Sequence, residues 1–496
     1  MKTEITQSLE NYFATFRDNV IGNEEFIEGP YGQKRIIYAD WTASGRLYGP
    51  IEKALSDSIG PYVANTHTET SYTGALMTRA YHEAKKIIKD HVNASQLDAL
   101  IPVGSGMTGA VVKFQRMLGL KYPDRLDKYV SIPEEDRPVV FITHMEHHSN
   151  QTSWLETFCK VECMKADNNG LVDLSSLDDL LEKYKDHKLK IASVTGCSNV
   201  TGIQTPYHQI AKKMHQAGGL CFVDFACSGP YVEINMHPED PEMALDAIFF
   251  SPHKFLGGPG TPGVLIFNSL LYNSRVPDQP GGGTVTWTNP WGGHSYNADI
   301  EVREDGGTPP FLQTMKAAMA IRLKEKMGVR NILRREHEMI DDIFDRLESI
   351  PNLHILAGNT RDRLGVISFF IEGLHYNLGV KLLNDRFGVQ VRGGCSCAGT
   401  YGHYLLNLSP DISQSIWTEI AHGDLSAKPG WIRMSIHPTM TDQEVEYICH
   451  AIREIAENHR EWSEDYRYDK QTNEFFHLRY KGREDELIRN WFELDE

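Results

Sequence analysis

Short apolar runs alternate along the chain with segments whose apolar residues recur at helical spacing. Ala99–Val103, Val139–Thr143, Ile191–Val194, Leu220–Phe225, Ala247–Phe250 and Gly263–Phe267 read as strands. Between two of them lies a clear helix. Thr205 can cap it, Pro206 opens it, Ile210, Ala211 and Met214 form its stripe, and Gly218 stops it. Repeated strand–helix alternation predicts an α/β fold, a mainly parallel sheet wrapped in helices. A long helical pattern from Phe311 to Gly328 continues over Asn331–Leu347, and new strands follow at Val366–Phe370, Gln390–Arg392 and Trp431–Ser435. These predict a smaller α/β domain, closed by a late helix that Thr441 and Glu444 cap as a box. Leu9, Tyr12, Phe13 and Phe16 predict a helix near the start, before a Gly/Pro turn, and the charged, aromatic last ~30 residues read as a helical surface extension. The resulting division is 1–34 preamble, 35–310 large domain, 311–464 small domain and 465–496 extension.

Composition narrows the function. With 41% hydrophobic and 24% charged residues, the 496-residue chain is of ordinary globular make-up. Lys and Arg number 50 against 67 Asp and Glu, a net charge of −17 without basic runs, which argues against nucleic-acid binding. No run of ~18 apolar residues suggests a membrane span, and the N-terminus lacks the look of a signal peptide, so a cytoplasmic location is expected. The 8 cysteines are then expected to be thiols.

The residues just beyond each strand carry the chemistry, because ligands of open parallel sheets bind past the carboxyl ends of the strands. Those ends lead into Gly104-Ser-Gly-Met-Thr-Gly109, His144-Met-Glu-His-His-Ser-Asn150, Thr195-Gly-Cys-Ser-Asn199, Asp224, and Ser251-Pro-His-Lys254. The first is a GxGxxG match, yet the acidic residue that a dinucleotide needs ~20 positions on is found only as Asp124 or Asp127, away from any strand end. A cradle for one phosphate, with Thr108 as donor, fits the local sequence better. Lys254 precedes the glycine-rich Gly257–Gly263 and could have a depressed pKa suited to attack on a carbonyl. Together with Asp224 and the cradle it describes a pyridoxal phosphate site. His144, His147, His148, Cys159 and Cys163 match no strong zinc spacing, so no metal is expected.

With these residues in place, the chain resembles the class V aminotransferase-fold enzymes that use pyridoxal phosphate, in particular the cysteine desulfurase and selenocysteine lyase group. The resemblance spans roughly Ile36 to Ile455 and implies fold type I. Ile37-Tyr-Ala-Asp-Trp-Thr-Ala-Ser44 resembles the family's opening strand and substrate-side loop, which places Ser44 at the substrate. By the same resemblance Gly106, Met107 and Thr108 hold phosphate, His147 stacks on the cofactor ring, and Asn199 lies beside its phenolic oxygen and the substrate. Asp224 faces the pyridinium nitrogen, Ser251 and His253 approach the phosphate, and Lys254 forms the Schiff base. Gly281-Gly-Gly-Thr284 is similar to the loop that completes the other subunit's phosphate site, so a homodimer is implied. Val391-Arg-Gly-Gly-Cys-Ser-Cys-Ala-Gly399 resembles the segment bearing the carboxylate-binding arginine, Arg392, and the sulfur-accepting cysteine, Cys397. The implied reaction is C–S cleavage of L-cysteine or a relative, with a persulfide on Cys397 that a sulfur-acceptor protein could collect. An aminotransferase, epimerase or other lyase without that step is the alternative. One departure stands out: many relatives carry Gln three residues after the aspartate, where this chain has Cys227. Cys159, Cys163, Cys221 and Cys449 read as structural thiols, Cys395 shares the loop of Cys397, and Cys197 has no assigned role.

Overall fold

The central strands are apolar on both faces, which a sheet tolerates only when helices cover both sides. Val139–Ile142, Lys190–Thr195 and Ala247–Phe250 are buried along their whole length. In the computed structural model, which describes residues 8–104 and 106–493, they lie inside a seven-stranded sheet. Its order is Asp98–Val103, Gly263–Asn268, Ala247–Phe250, Leu220–Asp224, Lys190–Thr195, Val139–Ile142 and Lys160–Cys163. Only Gly263–Asn268 runs against the others. Every strand expected from the apolar runs is present. Lys160–Cys163 is an addition to them; as an edge strand it is only partly covered and carries Lys160 and Glu162 between apolar residues, which hides its pattern.

The helix after Lys190–Thr195 runs from Tyr207 to Gln216 and buries Ile210, Ala211 and Met214, and Gly218 follows it at φ +69°. Its capping differs from expectation. The Thr205 hydroxyl donates to the Thr195 carbonyl, a nearer acceptor, and caps nothing.

Helices Phe311–Met327 and Val329–Leu347, hinged at Gly328 (φ +77°), lead into a four-stranded antiparallel sheet. Its order is Leu353–Ile355, Val366–Ile371, Trp431–Ser435 and Arg392–Gly394. The expected Gln390–Arg392 strand is split in two. Val389–Gln390 pairs with Ile37–Tyr38, while Arg392–Gly394 joins the four-stranded sheet. The capping box on Asp442–Trp462 is formed as expected.

Of the N-terminal preamble, residues 1–7 lie outside the described residues; helix Leu9–Arg17 buries Phe13 and Phe16, and a hairpin of Phe26–Gly29 and Gly32–Arg35 follows. The C-terminal extension is not wholly helical. Tyr466–Asp469 and Glu474–His477 form a hairpin before the helix Glu484–Trp491. The cause is an aromatic period-two pattern that the charges disguise: Tyr468 packs on Phe475 across the strands at 4.7 Å, and the Tyr466 hydroxyl donates to Asp385 at 2.9 Å. No described helix is long and apolar enough to cross a membrane.

Candidate active site

The carboxyl ends of the large sheet and one edge of the smaller domain enclose a cavity of about 700 Å³. Gly106, Met107, Thr108, His147, Asn199, Asp224, Ser251, His253, Lys254, Arg392 and Cys397 all line it. Sequence positions almost 300 residues apart therefore meet in one place. Two expected residues do not. Ser44 turns its hydroxyl onto the Gly45 carbonyl, and Thr42 and Ala43 form the wall in its stead. Thr284 bonds back to the Gly281 carbonyl within its own loop, outside this chain's cavity.

The phosphate-loop candidate opens the helix Gly106–Met117, whose N-terminal amides and dipole favour an anion. Ser105 of that loop lies outside the described residues. Gly106 has φ +59°, and a Cβ there would stand 3.0 Å from Ser251 Oγ and 3.8 Å from His253. The Met107 amide donates to Ser251 Oγ at 2.8 Å, and the Thr108 and Ser149 hydroxyls share a 2.6 Å bond. Gly263 is required for closeness, since a Cβ on it would run into the Gly106 carbonyl. Amides, small hydroxyls and an open glycine at a helix N-terminus suit a phosphate.

The cavity floor comes from strand ends. Asp224 terminates Leu220–Asp224 and takes one bond, from the Ala226 amide at 2.8 Å. Burial pushes its carboxyl up to about 6, against the opposing pull of Lys254. An anion so poorly served by the protein suits a cationic ring nitrogen. Lys254 closes the turn Pro252–Lys254, and burial lowers its pKa, which favours the free amine needed of a nucleophile. His147 caps the helix His148–Leu155 by accepting the Ser149 amide on Nδ1. Burial, helped by Lys254, drives it down to about 3, so its ring is neutral. The neighbouring Glu146 anchors the segment that carries it. One oxygen accepts from the Thr143 hydroxyl (2.6 Å) and the Thr195 amide (2.9 Å), the other from Asn150 (2.8 Å), which ties two strand ends together.

The opposite wall belongs to the smaller domain. Asn199 donates to the Ser396 carbonyl at 2.7 Å, and its buried Oδ1 has no protein partner. Gly394, Ser396 and Cys397 have φ of +107°, +51° and +56°. Cys397 is exposed on this contorted turn, which the His148 amide anchors by donating to the Cys397 carbonyl at 2.7 Å. Cys395 instead lies half-buried against the Met145, Tyr401 and Trp431 cluster.

Of the cationic groups that sequence reasoning missed, Arg433 is the buried one. Arg433, in the strand Trp431–Ser435, also lines the cavity. It donates to Asp40 at 2.8 Å and to the Asn199 carbonyl at 3.2 Å, while its Nε is buried without a partner. Arg392 holds the other oxygen of Asp40 at 3.0 Å. The side chain of Arg433 is 4% exposed and that of Arg392 52%. An arginine inside an otherwise apolar strand was the available signal. The tail contributes too: Thr472 and Asn473 of the C-terminal hairpin reach the cavity, beside Tyr376 and Lys428.

The family profile of Aminotransferase class-V matches residues 37–448. The chain belongs to the aminotransferase class-V family. As in that family, it is an enzyme that uses pyridoxal 5'-phosphate, and the phosphate cradle, the under-served Asp224 and the buried Lys254 fit that cofactor. It is similar to a probable cysteine desulfurase of Staphylococcus aureus (strain Mu50 / ATCC 700699), 27% identical over 417 residues that cover 80% of this chain and 95% of the relative. One of Streptomyces coelicolor is 28% identical over 371 residues, 73% of this chain and 84% of the relative. A solved apo cysteine desulfurase from Thermococcus onnurineus superposes with a TM-score of 0.72 at 23% identity, covering 90% of this chain and 98% of that one. These likenesses agree with the class V, fold type I reading of the sequence. Among the described residues no three His, Cys, Asp or Glu side chains converge as metal ligands. His144 faces the Gly170 carbonyl at 3.1 Å, and His148 accepts the Gly399 amide at 2.8 Å.

Proposed function

We propose that this class V enzyme is a cysteine desulfurase or C–S lyase acting on L-cysteine or a related amino acid. The observation that carries the reading is Cys397, an exposed thiol held on a left-handed turn in the wall of the cavity that contains Lys254. Relatives named probable cysteine desulfurase support it.

Pyridoxal phosphate, when bound, supplies an electron sink for the bonds at the substrate's Cα. Around it the residues divide the work. Gly106, Met107, Thr108, Ser251 and His253 would hold the phosphate, joined by Thr284 of a second subunit in a homodimer. Asp224 would keep the ring nitrogen protonated, His147 would stack on the ring, and Asn199 would offer its unpartnered Oδ1 beside the substrate. Lys254 would attach the cofactor and then move the α-proton as base and acid. The substrate carboxylate falls to Arg433 ahead of the expected Arg392. Arg433 is the buried, pre-oriented fork, whereas Arg392 stands at the rim. Cys397 would attack the substrate sulfur: an S–S bond forms, the C–S bond breaks, and its electrons stay with carbon, which takes a proton to leave alanine. A thiol or sulfur-acceptor protein then removes the sulfur.

The test is an anaerobic assay with L-cysteine and dithiothreitol, measuring sulfide and alanine together. Equal amounts of both are expected, and a loss of about a hundredfold or more in Cys397→Ala with the cofactor's visible band intact. Undiminished turnover in the variant would reject the persulfide step and favour the lyase or aminotransferase alternative.

A further inference from the structure

Two thiols meet at the floor of the cavity. Cys197 lies just past the strand Lys190–Thr195 and Cys227 just past its parallel neighbour Leu220–Asp224, with Thr195 and Asp224 as register partners. The two sulfurs lie 3.8 Å apart, and both residues line the cavity alongside Lys254 and Arg433. A disulfide would bring the sulfurs from 3.8 Å to the ~2.05 Å of an S–S bond.

Their surroundings divide them into unlike partners. The Cys197 thiol can hydrogen-bond a Cys227 thiolate and so lowers the pKa of Cys227, with Lys254 and Arg433 adding positive charge. Burial pushes Cys197 well up, and it keeps its proton. One nucleophilic sulfur with a protonated thiol at its side is the arrangement of an attacking and a resolving cysteine. None of the bonds that build the phosphate cradle or the Cys397 turn uses either thiol.

We propose that Cys197 and Cys227 form a reversible redox site inside the cavity, a dithiol that a small hydroperoxide converts to a disulfide. The Cys227 thiolate attacks hydrogen peroxide: its sulfur is oxidised, the O–O bond breaks, a sulfenic acid forms, and the hydroxide that leaves becomes water with the proton Cys227 gave up on ionising. Cys197 then attacks that sulfur, the S–S bond forms, the S–O bond breaks, and the Cys197 proton departs in a second water. Two thiols and one hydrogen peroxide give one disulfide and two waters. A reducing thiol reverses it. The pair needs no particular amino-acid substrate, so its redox chemistry stands apart from the desulfurase reading.

The experiment uses full-length Cys395→Ser/Cys397→Ser protein, to keep the exposed loop thiols silent, with and without bound cofactor. It is treated with one equivalent of hydrogen peroxide and mapped by non-reducing peptide mass spectrometry. The expected result is a Cys197–Cys227 cross-linked peptide 2 Da lighter than the reduced pair, with two fewer titratable thiols, restored by dithiothreitol. With Cys197→Ser added, the cross-link is replaced by a dimedone adduct on Cys227; with Cys227→Ser added, both are lost. The mapping of the double variant stands even if these additions fold poorly. Peptides containing Cys197 and Cys227 that remain reduced while Cys159 or Cys163 oxidises would overturn the proposal. So would a Cys227 sulfenic acid that persists with Cys197 in place.

Discussion

The two walls of the cavity are built by different rules. The floor stands on strand ends of a sheet buried on both faces, and its groups have their protonation set by burial: His147 down to about 3, Asp224 up to about 6, Lys254 lowered. Apart from Arg433 in its buried strand, the facing wall is a collection of turns and appendages. Ser396, Cys397 and Asn473 have positive φ, Arg392 is half-exposed, and the hairpin that supplies Asn473 comes from near the chain's end. The contrast separates tasks. Holding a cofactor rewards rigid, desolvated groups, whereas choosing a substrate and, on the proposed function, passing on sulfur reward groups that can be reached. Changes in the floor should therefore disable the cofactor itself, and changes in the facing wall should act on the substrate and its sulfur while leaving the cofactor in place.

Lys254 should give the largest effect. Lys254→Ala is expected to lower turnover by about a thousandfold or more, since it removes the group proposed as both covalent anchor and proton carrier. Borohydride treatment and then mass spectrometry check the cause, because the cofactor's mass should become fixed to the wild-type chain and not to the variant. The two arginines test the other wall internally. Arg433→Lys should raise KM for an amino-acid substrate about a hundredfold, while Arg392→Lys should raise it less than tenfold, because only the buried fork loses desolvated bonds. Equal effects would erase the distinction drawn between them.

Asp224 should give a smaller effect, in stability. Its carboxyl is raised above its unfolded value, so ionising it opposes folding: the cost is absent below about pH 4 and complete above about pH 6. For the unloaded chain the cost is on the order of 2–3 kcal/mol at pH 7.5. Asp224→Asn should therefore raise the Tm of unloaded enzyme at pH 7.5, leave it nearly unchanged at pH 4, and weaken cofactor binding. A fall in Tm at pH 7.5 would show that the carboxylate is better served than its single amide suggests.

The same contrast explains how much was legible in the sequence. Strand-end motifs announce themselves, because an apolar run fixes where the strand stops and the next residues are delivered to one edge. Lys254, Asp224 and His147 are legible in that way. Arg433 is not, because it lies within a strand and becomes a site residue only when Asp40, 393 positions earlier, folds against it. Ser44 is misplaced by one side of a turn, since which hydroxyl of Thr42-Ala-Ser44 faces the cavity depends on how that turn packs against Ser435. The C-terminal hairpin is hidden by its charges. Nothing local announces that its turn closes a cavity formed by the rest of the chain.

Asn473 makes that last point measurable. It is buried at φ +61°, donates to the Tyr376 hydroxyl at 2.7 Å, and accepts from the Tyr468 hydroxyl at 2.8 Å, so it braces the hairpin turn against the cavity mouth. Asn473→Ala loses both bonds and keeps a β-carbon in the left-handed conformation, which costs ~1–2 kcal/mol without the polar side chain that lets asparagine adopt it. Asn473→Gly relieves the strain and leaves the bonds missing. If the hairpin shapes the substrate side, both variants should raise KM about three- to tenfold with kcat and the cofactor band nearly unchanged, and glycine should recover Tm without recovering KM. Recovery of both by glycine would mean that the turn's conformation matters and its contacts do not. An unaltered KM in both variants would reduce the hairpin to a cover, and the boundary between the two walls would then end at Lys428.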